Sequence, residues 1–147
     1  MKLSTRGRYG TRVLLDLATR NDKDPVPLKE IARRQQMSVL YLEHIITPLT
    51  AAGIIRSTRG ARGGIQLIRP PQDIKLSEVL ELLEGSTAPV DCINDPNACQ
   101  RSEVCATRDV WIELKKAIDG VLESKTLMDL VEMQKKKKPA ELVMYDI

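Results

Sequence analysis

Three cysteines, Cys92, Cys99 and Cys105, are the residues of this 147-residue chain best suited to chemistry, and all lie in one stretch, CINDPNACQRSEVC. Six residues separate the first pair and five the second, and Asn94, Pro96 and Asn97 favour turns, so the thiols ride on a loop along which they can converge. Convergent thiolates bind metal. With no fourth cysteine and no C-x(2–4)-C knuckle, the set departs from closed structural zinc sites. Soft thiolates also select iron–sulfur clusters, where a non-cysteine group can complete the ligand set and leave one iron more labile. Ordinary free thiols of a cytosolic protein are the other reading of the same spacing.

The rest of the chain has to position that loop. The absence of Phe, with one Trp and three Tyr, leaves aliphatic helices to supply the core, and the length allows about one average domain. The early apolar run Val13-Leu14-Leu15 is cut by Asp16, so it is neither a signal segment nor a membrane span, which points to a cytoplasmic protein. An odd cysteine count in that reducing compartment argues for metal or redox chemistry over a disulfide framework.

Charge divides the chain. Residues 1–75 carry 14 Lys and Arg against 6 Asp and Glu, whereas residues 76–147 carry 9 against 14. The basic front half fits an anionic partner, above all a nucleic-acid backbone, which would repel the acidic back half.

Within the front half, Ser4 or Thr5 caps a helix to about Arg20, with Val13, Leu14, Leu17 and Ala18 inward and Gly7 and Gly10 loosening its first turns. Lys2, Arg6, Arg8 and Arg12 crowd its start, where cations oppose the helix dipole, so they suit a nearby phosphate or a solvated basic face. After a turn-rich connector over residues 21–27, Leu28–Arg34 reads as a short helix and Gln35-Gln36-Met37 as a turn. Ser38 then caps a helix whose Val39, Leu42, Ile45, Ile46 and Leu49 face inward, leaving Tyr41, Glu43, His44 and Thr47 outward. Pro48 should kink this helix or cost it a hydrogen bond, and Gly53 ends it.

Helix, tight turn and capped helix is the helix-turn-helix pattern. Glu43 can accept from a cytosine amine, and His44 is either a donor to a base or phosphate or a plain surface residue. Ile54–Ser57 and Ile65–Ile68 form two strands around the tip Thr58–Gly64, a wing whose Arg59 suits the negative potential of a narrow minor groove. No Walker Lys-Ser/Thr follows Gly63-Gly64, which argues against an enzymatic phosphate loop.

Downstream, Ser77 caps a helix Glu78–Glu84 that returns Val79, Leu80, Leu82 and Leu83 to the core. Beyond the cysteines, Val110, Trp111, Leu114, Ala117, Ile118, Val121 and Leu122 form an apolar face too broad for a free surface, which predicts pairing with a second subunit. Thr126 starts a shorter helix, Leu127–Met133, and Lys135–Lys138 reads as a solvated tail.

The opening MKLSTRGRYG, the segment Leu40-Tyr41-Leu42-Glu43, the wing Arg56-Ser57-Thr58-Arg59-Gly60 and the cysteine triplet together resemble the iron–sulfur cluster regulator IscR and its winged-helix relatives, over nearly the whole chain. The resemblance implies a mostly α fold with a small β-hairpin wing: a winged helix-turn-helix DNA-binding domain over residues 1–75, a linking helix and cluster-binding loop over 76–107, and a dimerisation helix with its tail over 108–147. It implies a homodimeric transcription regulator, a repressor type that senses cluster status and controls cluster-biogenesis genes. DNA contacts would come from Ser38, Tyr41, Glu43, His44 and Arg59, and ligation of a [2Fe-2S] cluster, with [4Fe-4S] next, from Cys92, Cys99 and Cys105. The chain departs from that pattern after Cys105, where Ala106-Thr107-Arg108-Asp109 holds no histidine; Asp91, Asp95, Glu103 and Asp109 are the oxygen donors at hand.

The alternative is a clusterless winged-helix repressor controlled by a partner protein or by thiol oxidation. An enzyme is disfavoured by a single histidine, no paired acid and base and no nucleophile motif. The expected partners are therefore an operator duplex and a second copy of the chain, with neither a membrane nor a small-molecule substrate.

Overall fold

Aliphatic residues at helical spacing set the architecture of the computed structural model, which describes residues 1–20 and 24–137. In order come α1 (Thr5–Arg20), α2 (Leu28–Gln35), α3 (Val39–Ala51), β1 (Ile55–Thr58), β2 (Gly64–Leu67), α4 (Leu76–Glu84), α5 (Ala106–Ser124) and α6 (Leu127–Lys137). Short 3-10 turns lie at Pro71–Asp73, Asp91–Ile93 and Pro96–Ala98. The fold is a winged helix-turn-helix, mostly α with one hairpin, as the sequence predicts.

The core is aliphatic throughout. Leu14, Ile31, Leu42, Ile45, Leu49, Ile54, Ile65, Ile74, Val79 and Leu127 are fully enclosed, each contributing about 1.5–3 kcal/mol through removal from water. Leu127 and Val131 are buried on α6, and Leu127 packs into the same hydrophobic core as α1 to α4. Backbone bonds fix this return: Leu76 N–H donates to Lys125 C=O at 3.0 Å and Leu127 N–H to Ile74 C=O at 2.8 Å.

Gly7 and Gly10 do more than loosen α1. Both are buried, and a Cβ at Gly7 would collide with the Glu84 carboxylate, one at Gly10 with the Leu83 side chain. They are the surface on which α4 lies, and Glu84 Oε1 accepts from Ser4 N–H at 2.8 Å and Ser4 Oγ–H at 2.6 Å, closing the start of α1.

Two boundaries differ from expectation. Helix α4 begins at Leu76 with Lys75 at the cap and no side-chain cap, because backbone pairing with residues 125–127 orders its start without Ser77. The hairpin register, Ile55↔Leu67 to Thr58↔Gly64, runs one residue later in β1 and one earlier in β2. Within it, Ile65 exchanges backbone hydrogen bonds of 2.8 and 2.9 Å with Val26, so the connector before α2 adds a third short pairing. Gly64, at φ 154°, permits that approach, since a Cβ there would strike the Val26 carbonyl.

Candidate nucleic-acid interface and cysteine loop

The turn between α2 and α3 is built from backbone chemistry. Gln36 takes the left-handed conformation (φ 55°, ψ 49°), and Met37 N–H reaches back to Ala32 C=O at 2.9 Å, ending α2 sharply. Ser38 then caps α3, its Oγ accepting from Tyr41 N–H at 3.1 Å. Helix α3 carries through Pro48 to Ala51, where Gly53 (φ 74°) and the Ile54 N–H to Leu49 C=O bond close it. An ion-pair cluster braces α1 against α2: Asp16 accepts from Arg34 at 2.6 Å and from Gln35 at 2.9 Å, and Glu30 accepts from Arg34 at 2.6 Å.

At about 100° per residue, Leu40, Glu43, His44 and Thr47 share one exposed stripe of α3, opposite the buried Leu42, Ile45, Ile46 and Leu49. Tyr41, expected to face outward, falls on the flank and is half-buried, its ring edge-on to Tyr9 at 6.2 Å between centroids. Arg12 lies over the Tyr9 ring, with its guanidinium carbon 4.9 Å from the centroid and its Nε donating to Gln35. Ser38 is exposed, but its oxygen is engaged in the cap. Arg56, Arg59 and Arg62 are all exposed on the wing. Exposed Arg6, Arg8 and Arg12 add a second basic edge along α1.

The cysteine loop lies between α4 and α5. All three thiols are free, Cys99 exposed and Cys92 and Cys105 half-buried. Two residues that sequence reasoning passed over shape it. Ser102 is the one buried polar residue among those described, and its hydroxyl is shared between Pro96 C=O at 2.7 Å and Cys99 C=O at 2.9 Å. Arg108, in the first turn of α5, donates from Nε and an NH2 to Cys92 C=O at 3.2 Å each. Cys105 caps α5 by position, with its sulfur 3.0 Å from Thr107 Oγ1. That hydrogen bond, helped by nearby backbone N–H groups and Arg101, holds its thiol below the usual cysteine range.

The donor chemistry suits a cluster, since three unpaired soft thiols share one loop outside the core. As the loop lies, no three His, Cys, Asp or Glu side chains among the described residues stand together as a metal-holding group, so ligation requires the loop to draw in. The four oxygen donors Asp91, Asp95, Glu103 and Asp109 are exposed, and Asp95 already accepts from Asn97 N–H at 3.1 Å.

Helix α5 departs from every other long helix here. None of its nineteen residues is buried, and Val110, Trp111, Ala117 and Val121 are exposed. Beyond the Arg108 bonds to Cys92 C=O, Thr87 Oγ1–H donates to Asp119 at 2.9 Å, beside the Lys115–Asp119 pair. Among the described residues, no helix is long and apolar enough to cross a membrane. The lysines 135–137 end α6, exposed as a solvated face; Lys138 lies outside the described residues.

A family profile described as Rrf2, Iron-dependent Transcriptional regulator, matches residues 3–133. The protein rrf2 of Nitratidesulfovibrio vulgaris is 48% identical over 131 residues, covering 89% of this chain and 87% of its own. The solved structure of CymR, the global cysteine regulator of B. subtilis, superposes with a TM-score of 0.75 at 37% identity, covering 90% of this chain and 98% of that one. That of T. potens IscR superposes with a TM-score of 0.77 at 38% identity, covering 99% and 96%.

Proposed function

Since this chain belongs to the Rrf2 family of transcriptional regulators, whose members are not enzymes, we propose that it is a cytoplasmic homodimer that reads duplex DNA and senses iron–sulfur cluster status through Cys92, Cys99 and Cys105. The observation that carries the proposal is the placing of three free thiols on one exposed loop that leads, through Arg108, directly into the unpartnered helix α5. A [2Fe-2S] cluster is the first choice. When bound, the cluster supplies an oxidation- and iron-sensitive crosslink between three points of the loop. Ser102 and Arg108 shape the backbone at Cys99 and Cys92, and a carboxylate among Asp91, Asp95, Glu103 and Asp109 serves as the weak fourth donor. Ordering the loop biases two elements at once: α5 after it, and α4 before it, whose Glu84 closes the start of α1.

On the DNA side, the exposed stripe of α3 lies in the major groove, with Glu43 and His44 toward base edges and Ser38 and Tyr41 near the backbone; Arg59 enters the minor groove from the wing. The second subunit covers the exposed apolar face of α5 and the adjoining cleft of about 460 Å³ lined by Met1, Leu3, Leu80, Ala88, Ile118 and Leu122. A second reading, a clusterless repressor controlled by a partner protein or thiol oxidation, draws support from the similarity to the B. subtilis cysteine regulator.

The test is an anaerobic absorption spectrum with iron and sulfide counts on the intact chain and on each Cys→Ser variant. Loss of the visible bands in all three variants, with one common apo-like DNA preference, supports the cluster sensor; a colourless protein with unaltered operator binding selects the second reading. Trp111→Glu should convert the dimer to monomer and abolish operator binding together, as sedimentation and gel shift would report.

A further inference from the structure

Leu40 is 67% exposed on the first turn of α3, more so than any other large apolar residue on the helices that build the core. A lone surface leucine is ordinarily unremarked, so its neighbours decide the matter. It shares its stripe with Glu43, His44 and Thr47, all exposed, and follows directly on the capped turn, where a recognition helix brings its N-terminal residues to base edges. Val39 and Tyr41, the other apolar side chains at this end, are half-buried against the core, Tyr41 edge-on to Tyr9, so Leu40 is the apolar group the helix presents. The exposed basic residues of the same domain, Arg56, Arg59 and Arg62 on the wing and Arg8 and Arg12 on α1, suit an anionic partner better than an apolar protein surface.

Resting on the DNA-binding reading, we propose that Leu40 is a specificity residue that packs against the C5-methyl group of a thymine. In the major groove that methyl is the only apolar group a base edge offers, and an aliphatic side chain can tell it from cytosine or adenine by burial alone. Position narrows the site further. Leu40 and Glu43 stand three residues apart, about 4.5 Å along a helix, against about 3.4 Å between successive base pairs. The thymine therefore lies one or two base pairs from the base whose amine Glu43 accepts.

The probe is duplex DNA enriched by the full-length chain from a random library, with each thymine then replaced in turn by deoxyuridine, which deletes only the methyl. One position per half-site should weaken binding by the unmodified chain about three- to fivefold, the scale of one buried methyl. Leu40→Ala should bind the thymine duplex more weakly by a similar factor, bind thymine and uracil duplexes alike, and melt close to the parent because the side chain is mostly exposed. An enriched duplex insensitive to every deoxyuridine, or a Leu40→Ala variant that still feels the methyl, overturns the Leu40 assignment while leaving DNA binding intact. Failure to enrich any duplex overturns the DNA-binding reading and this inference with it.

Discussion

Helices α3 and α5 are both amphipathic, yet α3 buries Leu42, Ile45, Ile46 and Leu49 inside its own chain and α5 buries nothing. The difference separates two kinds of instruction in one polypeptide. Around α3 the apolar side is satisfied by α1, α2, α4 and the hairpin, so what remains exposed is free to be read by a partner of opposite charge. Around α5 the apolar side itself is left over, and the neighbouring cysteine loop is held by backbone carbonyls, a shared serine hydroxyl and one arginine in place of a core. One region closes on its own core; the other leaves its apolar side exposed and its thiols free.

The largest effect that can break this comparison lies in the core. Leu49→Ala should destabilise by about 2–5 kcal/mol, the range for a fully buried leucine, whereas Val121→Ala on α5 should change the stability of the monomer by under about 0.5 kcal/mol. Denaturant unfolding at concentrations too low for association checks both, and equal losses would erase the distinction.

A pair of glycines sharpens it. Gly10→Val should cost about 1–3 kcal/mol, because the new side chain meets Leu83 where α4 lies on α1. Gly120→Ala, on α5 with nothing within 4 Å of a new Cβ, should instead raise monomer stability by about 0.5–1 kcal/mol through helix propensity. Next in size comes Ser38→Ala, which removes the cap on α3 and should cost about 1 kcal/mol in thermal unfolding.

What the sequence made legible follows the same division. Periodicity and capping located α1, α2, α3, the wing and α6, because local propensity and core burial agree there. Periodicity turns Tyr41 outward, but a residue on a helix flank answers to its neighbour, here Tyr9, which lies on a different helix. Gly7 and Gly10 read as weak helix positions, for nothing local announces that α4 must press against them from more than seventy residues away. The start of α4 was set by pairing with residues 125–127, again a distant event, and Ser102 looked like any loop serine until the loop closed over it. Type and spacing single out the cysteines, but the arginine and serine that shape their backbone carry no such signature.

The smallest expected effect tests how α5 is tethered at all. Asp119 accepts from Lys115 and from Thr87, and its carboxyl is held below the usual aspartate range, foremost by the Lys115 hydrogen bond and then by Thr87, against the cost of partial burial. A carboxylate with a depressed folded pKa stabilises fully above its unfolded value, about 3.9, and loses that contribution as the pH falls through the folded value. The pair is partly solvent-exposed, so screening keeps its worth near the about 0.3–0.5 kcal/mol of a helical i,i+4 pair. Asp119→Asn should therefore lower stability slightly at pH 7, and the gap should narrow both in strong acid and at about 1 M salt. Trp111, the only tryptophan and a residue of this same helix, makes the change visible by fluorescence. A gap that stays constant from neutral pH into acid would mean that the Asp119 charge does not help hold α5 to the segment before the cysteine loop, and that the Arg108 bonds to Cys92 C=O are the side-chain tie that does.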